Sequence, residues 1–192
     1  TTGPALTLGP DNTFTNNGEN VAGPGNTDGP DGTDLYVDEN GDDANNCVTG
    51  NPCASIERAI DVAAGTGSVI HVGSGTFTSP AAFTLSKKIT IVGDGEGSTT
   101  LKPGFTLSGQ DQAWITVGAG AGLDVSELTI DGDAPARSLG IGIRFSDDAT
   151  GKFDQVTFQN IKHSHRHLGI AVGTNKSGTP NNPTTVNLEV TN

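Results

Sequence analysis

Apolar residues along this chain come in short clusters separated by polar, turn-forming residues. Leu35-Tyr36-Val37, Val69-Ile70, Ile89-Thr90-Ile91-Val92 and Leu128-Thr129-Ile130 read as short strands, and every gap after Gly65 contains Gly, Asp or Asn. One stretch has a different period. Ile56, Ala59, Ile60 and Ala63 fall at helical spacing, with Ser55 placed to cap the start and Gly65 the end. The spacing predicts a short amphipathic helix over 55–64 with one face to bury.

The strand-like runs recur. Leu128-Thr129-Ile130-Asp131-Gly132 aligns with Val156-Thr157-Phe158-Gln159-Asn160 at an offset of 28, and more loosely with Leu188-Glu189-Val190-Thr191-Asn192. Leu139-Gly140-Ile141-Gly142-Ile143 aligns with Leu168-Gly169-Ile170-Ala171-Val172 at an offset of 29. Two strand registers with nearly one period are what a coil of stacked rungs requires, with apolar ladders inside and Gly, Asn or Asp at the corners. Such a stack exposes backbone and core at its first rung, and the helix is expected to cover both. The sequence stops at Asn192 with no capping helix after it, so the last rung is expected to stay open, through a longer natural chain or a covering molecule.

Residues 1–33 are Gly, Pro, Asn, Thr and Asp almost throughout, a composition that builds no core of its own. The expected organisation is an extended arm over 1–33 and one domain over 34–192. Leu6, Leu8 and Phe14 are the arm's apolar docking points, short enough to add as strands to a sheet edge of its own domain or of a neighbour. Leu188 and Val190 in the last rung are the matching interface candidates.

Composition narrows the classes. The chain has 28 Gly, no Met and one Trp, which argues against a helical bundle. No run approaches the roughly 18 apolar residues of a membrane helix. Ten Lys and Arg against 22 Asp and Glu give a net charge of −12, so nucleic acid is excluded as an expected partner. Cys47 and Cys53 lie close together in a polar stretch, a spacing that suits a small disulfide loop and an oxidising, extracellular setting; two free cytosolic thiols are the competing reading.

The series Tyr36-Val37-Asp38, Gly41-Asp42-Asp43, Pro52-Cys53-Ala54-Ser55-Ile56, Ala59-Ile60-Asp61, Ile70-His71-Val72, Gly75-Thr76-Phe77 and Ile89-Thr90-Ile91-Val92-Gly93-Asp94-Gly95 resembles the N-terminal portion of secreted right-handed parallel β-helix proteins of the pectin-lyase-like superfamily. The resemblance implies an all-β, right-handed parallel β-helix (solenoid) and an extracellular or cell-surface habit. It does not imply an activity, because the superfamily holds lyases, hydrolases, esterases, tailspikes and adhesins.

Candidate chemistry is sparse. Lyases of that superfamily combine a calcium held by carboxylates with a Lys or Arg base; the middle rungs here offer Asp131, Asp133, Asp147, Asp148 and Asp154 with Arg144, Lys152 and Arg166, of which Arg144, Asp154 and Arg166 are the catalytic candidates, without a family motif to carry over. Asp38, Asn40 and Asp42 are the candidates for a loop Ca site, with ordinary Asx turns as the default. His163, His165 and His167 project from one side of an extended segment. They are candidates for a transition metal, or for docking an anionic sugar or acidic subunit more tightly below about pH 6.5 as they charge. Asp147-Asp148 reads as a turn and Gly93–Gly97 as a tight corner rather than a phosphate loop. The preferred expectation is a structural or adhesive protomer that self-associates head to tail into a filament. The alternative is a carbohydrate-active domain, either a polysaccharide lyase or glycan-binding module or the N-terminal fragment of a longer such enzyme.

Overall fold

The computed structural model describes residues 34–107, 112–137, 139–162, 168–172 and 187–191. The arm over 1–33, and with it Leu6, Leu8 and Phe14, lies outside the described residues. The described chain is mostly strand with one short α-helix. In order it forms β1 (Asp34–Val37), α1 (Ile56–Val62), β2 (Thr66–Val72), β3 (Gly75–Ser79), β4 (Phe83–Leu85), β5 (Lys88–Val92), β6 (Thr99–Pro103), β7 (Ala113–Val117), β8 (Gly122–Asp131), β9 (Ile141–Phe145), β10 (Thr150–Gln159), β11 (Leu168–Val172) and β12 (Asn187–Thr191).

Every ladder between these strands is parallel. One eight-stranded sheet has a first arm in the order β1-β2-β5-β8-β10-β12 and a second arm in which β3 pairs β6 and β6 pairs the far half of β8. The long strands β8 and β10 belong to both arms and turn from one to the other at Glu127 and Gln155, whose φ angles are 56° and 53°. A four-stranded sheet, β11-β9-β7-β4, forms a third row. The chain visits first arm, second arm and four-stranded sheet in that order again and again, and the two sheets remain open.

Alternation decides what lies inside. Successive strand residues face opposite sides, so equivalent apolar positions on stacked strands meet in ladders. Leu35, Ile70, Ile91, Val125, Phe153 and Val190 form one in the first arm, and Phe77, Leu101, Ile130 and Phe158 one in the second. Phe83, Ile115, Ile143 and Ile170 form a third in the four-stranded sheet. Phe153 joins all three rows: its ring meets Phe145 of β9 and Phe158 of the second arm edge-on, with centroids 6.0 and 5.6 Å away.

Two sequence alignments shift. The 28-residue offset holds through β8 and β10, where Leu128 faces Val156 and Ile130 faces Phe158. Leu168, however, pairs with Ile141 and Ile170 with Ile143, two residues away from the alignment of Leu139 with Leu168. A two-residue slip keeps every side chain on its own face, so the hydrophobic pattern does not reveal it. β12 pairs with Thr150–Asp154 in the first arm, not with the second-arm run beginning at Val156.

The helix is one residue shorter at its start and two residues shorter at its end than expected. Ser55 caps it, its Oγ accepting from the Arg58 N–H at 3.2 Å, but it ends at Ala63, whose N–H donates to Ala59 O at 3.0 Å, and not at Gly65. Ile56, Ala59 and Ala63 are buried against the core, and α1 touches β1, β2 and β3. The free edge of β1 is taken by the loop that the Cys47–Cys53 disulfide closes. Tyr36 N–H donates to Cys47 O, Cys53 N–H to Tyr36 O and Asp38 N–H to Cys53 O, at 2.7 to 2.9 Å. Both cysteines are fully buried.

Candidate functional site

The outward side chains of the first arm form rows across its strands. One row is Lys88, Gly122, Thr150 and Asn187; the next is Thr90, Asp124, Lys152 and Glu189. A third holds Val92, Ser126, Asp154 and Thr191. Lys88, Thr150 and Asn187 of the first row and Asp124, Lys152 and Glu189 of the second, with Gly151 between them, line a groove of about 500 Å³ that crosses β5, β8, β10 and β12. Lys88 Nζ lies 3.6 Å from Asp124 Oδ2 and Lys152 Nζ 3.8 Å from Glu189 Oε1. Both pairs are substantially exposed, so each contributes little to stability and remains available to a ligand.

Glycine is required in the middle of the first row. A Cβ on Gly122 would lie 2.8 Å from Thr150 Oγ1 and 2.9 Å from Lys88 Cγ, inside van der Waals contact. Gly122 therefore removes one side chain from the middle of a row whose neighbours are long or polar. The lining carries ammonium, carboxylate, hydroxyl and amide groups and no apolar side chain. At the β1 end of the same face Tyr36 stacks on His71 with ring centroids 5.1 Å apart, and His71 Nε2 lies 3.1 Å from Asp34 Oδ1.

The second arm carries a separate polar network. Its outward threonines, Thr76, Thr100, Thr129 and Thr157, stand in register. The loop between β5 and β6 is strapped over them: Thr129 donates to the Glu96 carbonyl, and Thr157 Oγ1 donates to Glu96 Oε1 at 2.7 Å. Beside them, burial works against the charged form of Asp131. The Asn160 amide at 3.0 Å, the Asp133 N–H at 3.0 Å, the Gln159 amide at 3.1 Å and the Lys102 charge outweigh it and hold the carboxyl below its ordinary range. Lys102 itself pairs with Asp133 at 3.3 Å. Internal partners thus occupy these acids.

The residues singled out from the sequence are scattered. Asp154 borders the groove on β10 and accepts from Thr191 Oγ1 at 2.8 Å. Arg144 sits on β9 in the other sheet, in register with Thr116 and Ala171. Arg166, His163, His165 and His167 lie outside the described residues. Asp38 Oδ1 accepts from the Asn40 N–H at 2.8 Å and Asp42 Oδ1 from the Ala44 N–H at 2.9 Å, which are Asx turns. Among the described residues no three His, Cys, Asp or Glu side chains gather as a metal site. Leu188 pairs with Gly151, and Val190 is 69% exposed; for head-to-tail assembly the described residues offer only this exposure and that of Leu168 and Val172.

Sequence reasoning missed Lys88, Gly122, Asp124, Asn187 and Glu189. The signal was present in part. The 28-residue offset that aligns Leu128 with Val156, carried back along the chain, sets Gly122 against Thr150 and Asp124 against Lys152.

No protein-family model matches the sequence, and no curated protein matches it. Among solved structures, a mutant of the PL6 family alginate lyase AlyGC is similar at a TM-score of 0.48 and 19% identity, over 76% of this chain and 20% of that one. The chain thus spans about a fifth of that enzyme's length. No helix among the described residues is long and apolar enough to cross a membrane.

Proposed function

We propose that the three rows are the faces of a right-handed parallel β-helix, that α1 and the disulfide loop close its first coil, and that the protein is an exported module binding an extended polysaccharide along the first-arm groove. The repeated order in which the chain visits the rows supports the coil. The disulfide supports export, because such bonds persist in oxidising compartments.

The groove itself carries the functional reading. It is open, crosses four strands and is lined by polar and charged side chains with their aliphatic stems exposed between them, so an extended chain that carries both polar groups and apolar faces fits it. A sugar chain has both properties, and its hydroxyls both donate and accept. Asp124 and Glu189 disfavour a phosphate backbone there. A peptide added as a strand needs a sheet edge, and this groove lies on a sheet face.

Native gels cast with soluble neutral and acidic polysaccharides test the proposal. At least one glycan is expected to retard the protein, and Asn187→Trp, which sets a bulky side chain into the groove from an exposed lining position, is expected to abolish the retardation while the circular dichroism stays unchanged. Unretarded migration on every glycan, or retardation indifferent to Asn187→Trp, would sink it. Absorbance from unsaturated products in the same mixtures, with calcium present, would make the groove an active site as well.

A further inference from the structure

The charges of the groove alternate in sign along its length. Lys88 on β5, Asp124 on β8, Lys152 on β10 and Glu189 on β12 stand on successive strands, so cation, anion, cation and anion follow one another. Asp124, Lys152 and Glu189 share one row, so the strand spacing of about 4.8 Å sets the two carboxylate positions roughly 10 Å apart along the groove; Lys88 stands one row away and two strands from Lys152, its Nζ 3.6 Å from Asp124 Oδ2. The four charges sum to zero, and Asp154 flanks Lys152 on the same strand face.

This pattern sets the charge density of the occupant. A sugar chain running along the groove advances by about one strand spacing per residue, so alternate sugars meet a lysine and the sugars between them meet a carboxylate. A polymer with an anion on every sugar must place anions against Asp124 and Glu189, where like charges repel across a short distance in a partly desolvated groove. A neutral polymer leaves both lysines to their internal partners and gains no charge-assisted contact.

Resting on the glycan reading of the groove, we infer that the preferred ligand is a polysaccharide with one carboxylate for every two sugars. Its acidic sugars face Lys88 and Lys152, and its neutral sugars donate hydroxyl or amide protons to Asp124 and Glu189. Specificity here comes as much from the repulsive carboxylates as from the attractive lysines.

Three hexasaccharides matched in length separate the cases by calorimetric titration at fixed low salt. Hyaluronan carries one carboxylate per disaccharide, oligogalacturonate one per residue, and cello-oligosaccharide none. Hyaluronan is expected to bind at least tenfold more tightly than either of the others. The double variant Asp124→Asn with Glu189→Gln, both surface positions, is expected to raise oligogalacturonate affinity at least tenfold and leave hyaluronan within about threefold. Lys152→Gln is expected to lower hyaluronan affinity at least tenfold. Equal or tighter binding of oligogalacturonate or cello-oligosaccharide by the parent protein overturns the inference and leaves the glycan reading standing. So does a double variant that does not change the ranking. Absence of binding to all three, together with unretarded migration on every polysaccharide gel, overturns both.

Discussion

Single residues here are constrained mainly by what stands one strand above or below them. Gly93 is an example: a Cβ there would lie 2.8 Å from Leu128 Cβ and 2.9 Å from Thr99 Cβ, so the chain leaves β5 through a space only glycine fits. Asp131 is held by residues from two strands and the loops after them, and this gives its charge a measurable consequence. Its folded-state pKa lies below the ordinary 3.8, so its ionised form adds stability above that value, and the contribution is lost as pH falls through the folded pKa. Asp131→Asn is therefore expected to lower Tm at pH 7 and to converge on the parent as the pH drops well below 4. Thermal denaturation across pH 2 to 7 checks this. A constant difference between the two proteins would mean that the side chain acts through its shape and not its charge.

At the scale of elements, the long strands and the edge strand solve opposite problems. β8 and β10 continue from one arm to the next by placing Glu127 and Gln155 in the left-handed region, which costs a residue with a Cβ about 1–2 kcal/mol at each. Gln155 falls between Asp154, paired with Ser126, and Val156, paired with Leu128, so the two corner residues stack. The adjoining ladders overdetermine the turn and sustain its strain. β1 has the reverse difficulty, an edge that invites pairing with another chain. The Cys47–Cys53 loop occupies it with three backbone hydrogen bonds. Replacing both cysteines by serine is expected to cost about 2 kcal/mol in urea denaturation through the unfolded state of this short loop. The same variant should associate increasingly with concentration by sedimentation velocity, as β1 is freed. A monomeric variant with unchanged stability would show that the loop holds its place without the bond.

The whole molecule depends on side chains that tie its three rows together. Phe153 is the clearest, being buried and in edge contact with rings from both other rows. Phe153→Ala is expected to cost about 3–5 kcal/mol and Phe153→Leu substantially less, read from urea midpoints at constant slope. A cost under about 1 kcal/mol would place the rows' mutual packing elsewhere. The same architecture makes every important contact non-local. Thr150 pairs with Gly122 on one side and with Asn187 on the other, so no strand meets its partner without closing a long loop.

Much of this order was legible in the residues themselves. Alternation marked β1, β5 and the second half of β8, helical spacing marked α1, and the 28-residue recurrence paired β8 with β10, because each depends on local periodicity that a linear chain displays. Close spacing of Cys47 and Cys53 in a polar loop announced their bond. The register of β11, the arm to which β12 belongs and the groove were decided only by tertiary structure. A slip of two residues preserves every inside and outside position, so hydrophobic pattern is blind to it. The groove is assembled from Lys88, Asp124, Lys152 and Glu189, polar residues that any exposed strand face can carry. What gives them meaning is the strand stacking that sets opposite charges side by side, and no single stretch of the chain contains that arrangement.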